Sequence, residues 1–178
     1  MSSAPAVTRA GPLGLLWLRR IFRRGAERYL DRWSLRHQAP DAGGGGRVYL
    51  HRFWAPDAAD EGLHNHPWEW SFSIVLWGSY TELYADVDAR TGELGHLRAR
   101  RVRFFNWISA RRYHRIAFLH PRAGRVWTLF VCGPLSGDGW GYWLPGRGHV
   151  PFRQRHAERE LEAAALAAHR PGEERAQA

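Results

Sequence analysis

The segment HNHPWEWSFSIVLWGSYTE, residues 64–82, decides the fold because it reads as two consecutive strands joined at a glycine. Residues 72–77 are rich in aromatic and β-branched side chains, and Gly78 ends the run, which predicts a central strand and a tight turn. The residues that follow predict the neighbouring strand. His64 and His66 precede the first strand with two-residue spacing, which on a strand directs both imidazoles to one face.

The rest of the chain continues in short strands separated by turns. In RVYLHRF, residues 47–53, the side chains alternate between two sets, as in a strand with two different faces. One set is Val48, Leu50 and Arg52, and the other is Tyr49, His51 and Phe53. Further strands are predicted in RRVRFFNWI, RIAFL, RVWTLFVCG, WGYWLP and HVPF, and a helix in ERELEAAALAAH. Strands in the middle with helices only at the ends predict an all-β protein, built as an antiparallel sandwich or barrel.

The N-terminal part of the chain is predicted to be helical. From about Leu13 to Leu35 the apolar residues fall near one stripe, with arginines elsewhere. The predicted organisation is a tail and amphipathic helix over residues 1–40, a barrel over 47–153, and a C-terminal helix with a frayed tail over 154–178. The glycine run within 41–46 is expected to be a flexible break.

Composition limits the function classes. The 178 residues suit one domain, and the net charge of +9 comes entirely from arginine, since the chain has no lysine. Arginine favours carboxylate or phosphate partners, although the arginines could equally be solvated. The lone Cys132 excludes an intramolecular disulfide and fits a reducing, cytoplasmic setting. No apolar stretch is long enough for a transmembrane segment, and no helix-turn-helix or zinc-finger motif indicates sequence-specific nucleic-acid recognition.

Three histidines and one glutamate are candidate metal ligands. His114 lies at the start of a predicted strand, where it could face His64 and His66 across a closed barrel. Glu82 follows Gly78 on the neighbouring strand. Three nitrogens and one oxygen would form a mononuclear divalent site with open positions for water or substrate. The alternative for the histidine pair is an exposed or hydrogen-bonded role without metal.

These motifs resemble those of the cupins. Their first motif begins with a glycine, which is followed by five residues and then by His-x-His. Three or four residues separate His-x-His from a glutamate, and a further six residues separate the glutamate from a closing glycine. Here the pair is present, Ser71 occupies the glutamate position, Gly78 matches the closing glycine, and Ala58 replaces the opening one. Residues 109–114 have the length of the second motif, which ends in a histidine. The resemblance therefore implies His64, His66 and His114 as metal ligands, without the usual glutamate.

The resemblance implies an RmlC-like jelly roll, a double-stranded β-helix with flanking N- and C-terminal helices. Segments such as LHNHPWEW, SIVLWGSYTE and WTLFVCGP are most similar to small uncharacterised cupin-like proteins of actinobacterial and phage genomes. Cupins that lack the glutamate are similar to thiol dioxygenases, which hold Fe(II), so Ser71 favours Fe(II), with Zn, Mn or Ni as substitutes. Glu82 and Glu69 compete for the vacant ligand position.

Further candidates surround the predicted centre. His51 could face inward as an acid or base, Tyr113 could supply a phenol, and Glu82 could act as a base. Arg52, Arg112 and Arg115 could bind a substrate carboxylate.

Three functions follow as hypotheses. The first is a metal-binding cupin, a mononuclear Fe(II)-type oxygenase acting on a small anionic or thiol substrate. The second is a metal-free epimerase or isomerase of sugar nucleotides, with a histidine base and a tyrosine acid. The third is a non-catalytic module that binds a small molecule or mediates a phage–host interaction. Cupins often pair, so a homodimer is compatible with each.

Overall fold

The computed structural model describes residues 7–10, 16–22, 28–35, 47–136 and 139–168. Within these ranges the chain forms strands and one C-terminal α-helix, with a short 3-10 turn at Ala59–Glu61. The strands are β1 (Val7–Ala10), β2 (Leu16–Phe22), β3 (Arg28–Leu35), β4 (Arg47–Phe53), β5 (Leu63–His64), β6 (Trp70–Trp77), β7 (Ser79–Asp86), β8 (Arg98–Val102), β9 (Phe105–Ser109), β10 (Arg112–His120), β11 (Val126–Cys132), β12 (Gly141–Leu144) and β13 (Gly148–Pro151), and the helix is α1 (Phe152–Ala168).

The strands form two antiparallel sheets. One has the order β1-β2-β3-β4-β11-β6-β9, and the other has the order β13-β12-β5-β10-β7-β8. The chain passes from the first sheet to the second at Gly78, between β6 and β7, where a φ of 76° requires glycine or a strained backbone. The protein is thus the all-β jelly roll that the sequence predicted, with one helix after the last strand.

Most predicted elements coincide with observed ones. The predicted strands at residues 47–53 and 72–78 correspond to β4 and β6, and RRVRFFNWI divides into β8 and β9. The C-terminal helix begins at Phe152. The predicted glycine break and the frayed C-terminal tail lie outside the described residues. In the described part of the chain, no helix combines the length and apolarity needed to cross a membrane.

The predicted N-terminal helix is wrong. β2 and β3 form an antiparallel hairpin, and β3 pairs with β4 from Leu30 opposite Phe53 to Ser34 opposite Tyr49. The pairing gives hydrogen-bond partners to the backbone N–H and C=O groups at the edge of β4. This tertiary interaction outweighs the local preference for a helix. A buried ion pair joins the two strands, because Asp31 Oδ2 accepts hydrogen bonds from Arg52 Nη2 at 2.6 Å and Nε at 2.9 Å.

The barrel interior is arranged in layers. One end contains an apolar layer of Leu30, Phe53, Tyr80, Val102, Ile116 and Val126. Two residues away on each of these six strands, the inward positions are polar, because a strand returns to the same face every second residue. These polar positions are Arg32, His51, Glu82, Arg100, His114 and Thr128, and on β6 and β9 they are joined by Ser73 and Asn106. The polar layer is where the candidate site forms.

Candidate metal centre

Backbone pairing and one buried amide hold the His-Asn-His segment in place. In β5, His64 is paired with His114 on β10 and with Tyr142 on β12. The side chain of Asn65 is buried and bonds to the loop before β12: Oδ1 accepts from Gly141 N at 2.8 Å, and Nδ2 donates to the Gly139 carbonyl at 3.0 Å. Asn65 therefore fixes the backbone between the two histidines.

The three predicted histidines converge. The ring centroids of His64 and His114 are 4.9 Å apart, those of His66 and His114 are 5.0 Å apart, and those of His64 and His66 are 5.4 Å apart. One ligand nitrogen from each ring lies within 4.8 Å of the other two. In the described part of the chain, this is the group of side chains that could hold a metal ion.

The donor set fits a divalent cation. The Nε2 atoms of His66 and His114 are 2.9 Å apart. Two imidazoles bound at right angles to one cation at about 2.1 Å have nitrogens about 3.0 Å apart. An N–H···N hydrogen bond between these rings would have the same length, but it would leave the third imidazole, His64, without a role in the cluster.

Burial keeps the rings in the form that binds metals. Burial is the main cause that lowers the pKa of His64 to about 4; Asp57 opposes the change, and His114 adds a smaller lowering. Burial also places the pKa of His66 well below its ordinary value, and His114 and His64 add to this effect. Both imidazoles are therefore neutral near pH 7, and a neutral imidazole has a free lone pair for a cation.

Glu82 lies behind His114 and outside the ligand cluster. Its Oε1 lies 2.7 Å from His114 Nδ1, and the carboxylate accepts hydrogen bonds from Asn106 Nδ2 and Arg100 Nε, each at 2.8 Å. Burial raises the pKa of this fully buried carboxyl group, but His114, Asn106 and Arg100 lower it overall, to about 2. The ionised carboxylate favours a proton on His114 Nδ1, which leaves Nε2 free for a cation.

Glu69, the other acid that competes for the vacant ligand position, does not contribute a carboxylate to the cluster. Glu69 is exposed. Ser71, at the position of the cupin glutamate, is buried on β6, and its Oγ has no hydrogen-bond partner among the described residues. Thr128 Oγ1, in the polar layer, is likewise without a partner there. Buried hydroxyls without partners are uncommon and indicate a water or ligand that completes their bonding.

His51 lies inside the barrel but not in the cluster. It is buried, its ring stacks on Phe130 at 5.3 Å, and its Nε2 accepts a hydrogen bond from Arg32 Nε at 2.9 Å. Burial, followed by the charge of Arg32, lowers its pKa well below the usual value. The structure therefore places His51 as a neutral acceptor for Arg32, within the polar layer but outside the ligand cluster.

Three other predicted residues face away from the centre. Tyr113 precedes His114 and so lies on the outer face of β10, where its hydroxyl is 2.6 Å from His149 Nδ1. Arg115 shares that outer face. Arg52 lies on the outer face of β4 and is bonded to Asp31. Because side chains alternate between the two faces of a strand, all three point away from the imidazole cluster. This placement does not support the predicted catalytic role of Tyr113. It does not support substrate binding by Arg52 and Arg115 either.

Arg112 is the predicted arginine that shares a face with His114. It is two residues from His114, and its Nε donates to Asp86 Oδ1 at 2.8 Å. Arg98 and Arg100 lie beside it, and all three guanidinium groups stand 4.7–4.8 Å from the ring centroid of Tyr84. Asp86 also accepts from Arg98 Nη2 at 2.8 Å. The inner face thus has three guanidinium groups that share two carboxylates, Asp86 and Glu82.

Sequence reasoning missed the residues that support the cluster. Asn65, Asn106 and Arg100 carry no motif of their own. A signal was available for Asn106, because it is a polar residue between Phe105 and Trp107 and so alternates with apolar neighbours. No comparable signal marked Arg100 among the many arginines, since its role depends on pairing between β7 and β8.

No family model matches the sequence, and no curated protein matches it. Similar solved structures include vicilin from hazelnut, Corylus avellana (TM-score 0.48, 13% identity, 84% of this chain and 39% of that one), and oxalate decarboxylase from Bacillus subtilis at pH 4.6 (0.44, 14%, 83% and 34%). A third is HppE in its Fe(II) form (0.44, 12%, 65% and 55%). The chain spans between about a third and about half of these three structures' lengths.

Proposed function

We propose that this chain is a metal-dependent enzyme of the cupin type, in which His64, His66 and His114 hold a divalent cation and a small anionic substrate binds beside it. The observation that carries the proposal is the convergence of three imidazoles, with the Nε2 atoms of His66 and His114 2.9 Å apart. Three neutral ligands would leave the charge of the cation uncompensated, which favours an anionic substrate.

Iron(II) is the cation that we favour, and the reaction class is oxygenation. A ferrous ion bound by three neutral imidazoles would supply the ability to activate O₂ while retaining positions for substrate. The chain's own contribution is to orient the ligands. Glu82 holds His114 through Nδ1, and Asn65 holds the backbone of the other two histidines.

The substrate anion is assigned to the arginines around Tyr84. Arg112 projects from the same face of β10 as His114, and Arg98, with more than half of its side chain exposed, can exchange its contact with Asp86 for a ligand carboxylate. Guanidinium groups bind carboxylates with two parallel hydrogen bonds, which would set the orientation of the substrate relative to the imidazoles. A thiol substrate would have no partner of this kind in the arginine group.

Metal analysis tests the proposal. The protein is purified without oxygen, loaded with Fe(II), desalted and analysed for bound metal; about one equivalent is expected for a mononuclear site. The His64→Ala, His66→Ala double variant should retain almost none. His96→Ala, which removes an exposed loop histidine, is the matched control and should bind metal as the wild type does.

Two results separate the alternatives. A folded double variant with unchanged metal content would refute the assignment of the ligands. A folded wild type that takes up no Fe(II), Mn(II) or Zn(II) would refute the metal enzyme itself, and would leave the metal-free enzyme and the non-catalytic module as the hypotheses to pursue.

A further inference from the structure

A second concave surface lies at the end of the barrel where three turns that connect one sheet to the other meet. The turns are those between β6 and β7, between β8 and β9, and between β10 and β11. They enclose a groove of about 420 Å³ whose lining includes Trp77, Arg101, Arg103, Phe104, His120 and Arg122. Along β10, His120 is six residues from His114, which corresponds to about 20 Å of strand. The groove is therefore separate from the imidazole cluster.

The groove is basic and contains no acid in its lining. Its charged residues are Arg101, Arg103 and Arg122, with His120 beside them. None of the three arginines forms an ion pair with a carboxylate of the described structure. Arg101 donates to Ser79 Oγ at 3.0–3.1 Å, and Arg122 stands over the Trp77 ring at 4.5 Å. By contrast, Arg52 and Arg112 are each neutralised by a carboxylate. Uncompensated guanidinium groups around a concave surface attract anions.

Exposed aromatic rings border the same groove. Phe104 is 76% exposed and Trp77 is 42% exposed, although both are large apolar side chains. The Trp77 ring is held in position, because its Nε1 donates to the Arg122 carbonyl at 2.8 Å. A second depression of about 370 Å³ adjoins the groove and is lined by residues 100–105, including Phe105, which is 67% exposed. Arginine and aromatic side chains thus form one continuous surface.

We propose that this groove binds a phosphate group joined to a planar ring, the chemistry of a nucleotide. The three arginines would contact phosphate oxygens, and Phe104 or Trp77 would stack on the base. Interleaved basic and aromatic side chains bind single-stranded nucleic acid in this way without reading its sequence. A free nucleotide and a single strand present the same chemistry, and the length of the ligand distinguishes them. The inference is independent of the metal centre.

Binding assays on the full-length protein test the inference. The probes are fluorescein-labelled dT12 followed by anisotropy over a series of salt concentrations, and AMP and ADP followed by calorimetry at low salt. The Arg101→Gln, Arg103→Gln variant should raise the dissociation constant about tenfold or more and reduce the slope of log Kd against log salt for dT12 by about 1.4, since each lost phosphate contact contributes about 0.7. Phe104→Ser should raise the dissociation constant at least about fivefold through lost stacking.

A charge-matched control separates the groove from general basicity. The Arg90→Gln, Arg153→Gln variant removes two exposed arginines from other surfaces and should change the dissociation constant less than about twofold. Tighter binding of dT12 than of the mononucleotides would support a single-stranded nucleic acid as ligand, and equal binding would support a free nucleotide. Equal losses in the two arginine variants, no saturable binding of any probe, or binding only to vesicles of phosphatidylserine and phosphatidylcholine would overturn the proposal.

Discussion

Replacing Glu82 by glutamine isolates the orienting role that we assign to this carboxylate. The substitution preserves the size of the side chain but turns one acceptor oxygen into a donor. In the wild type, Oε1 faces His114 Nδ1 and Asn106 Nδ2, and Oε2 faces Arg100 Nε. All these partners are donors. A glutamine amide must therefore place its NH₂ group against a donor whichever way it is turned.

The two orientations have different costs for metal binding. With NH₂ toward His114, the ring must accept at Nδ1 and carry its proton on Nε2, the atom that lies 2.9 Å from His66 and would bind the cation. With NH₂ toward Arg100, whose side chain is 35% exposed, the guanidinium group can turn to water and the carbonyl still accepts from His114. The second orientation is less costly, but its acceptor is neutral.

The expected magnitudes follow from these contacts. Loss of the carboxylate behind a ligating histidine lowers metal affinity by about 10- to 100-fold. The shift of the Glu82 pKa from 4.5 to about 2 corresponds to roughly 3 kcal/mol of favourable interaction with the ionised carboxylate, so the free energy of unfolding should fall by a similar amount.

Competition titration with a chelator measures the first effect, using Zn(II) or Co(II) as the probe ion. Glu93→Gln, which changes an exposed turn carboxylate, is the control and should match the wild type in affinity. Should the Glu82→Gln variant remain folded and bind metal within twofold of the wild type, while the His64→Ala, His66→Ala variant does not, the carboxylate would have no orienting role.

Three further substitutions test the supporting structure. Asp31→Asn should lower the free energy of unfolding in urea by about 2–4 kcal/mol, because Arg52 loses a buried charged partner. Burial raises the pKa of Asp31 but its hydrogen bonds lower it overall, so its contribution is complete above about pH 4 and lost as the pH falls further, and the stability curves of variant and wild type should converge in acid. Asn65→Ala should cost about 1–3 kcal/mol and weaken metal binding, since three backbone groups lose their partner. Gly141→Ala should lower the melting temperature, because a Cβ there would stand 2.4 Å from the Val150 carbonyl oxygen; an unchanged melting temperature would show that β12 can move.

The histidine pair was predictable because its information is local. His64 and His66 have strand spacing beside a run that ends at Gly78, whereas His114 lies 48 residues after His66 and was assigned through the resemblance to the cupin motifs. The fold class was predictable from local patterns too, since turns and alternating residues recur every few residues. Neither the pair nor the fold class required knowledge of which strands are neighbours.

The N-terminal hairpin was not predictable from local pattern. The stripe that suggested a helix from Leu13 to Leu35 competes with a strand pattern in which Leu30 faces inward while Asp31 and Trp33 face outward. What decides between them is the edge of β4, which offers unpaired backbone groups and an arginine, Arg52, for Asp31. That edge lies beyond the glycine-rich residues 41–46, so no short window of sequence contains it.

Strand alternation explains which of the polar candidates face the cluster. His114 fixes which face of β10 is internal, so Arg112 must be internal, whereas Tyr113 and Arg115 must be external. The same reasoning applied to β4 makes His51 internal and Arg52 external, given that Tyr49 and Phe53 are core residues. Whether a residue faces the cluster thus depends more on its odd or even position along the strand than on its distance in sequence from a ligand. The arginines on β8 can be identified only when the register between β7 and β8 is known. On this reasoning the inner arginines, Arg98, Arg100 and Arg112, are the ones whose substitution should alter substrate binding.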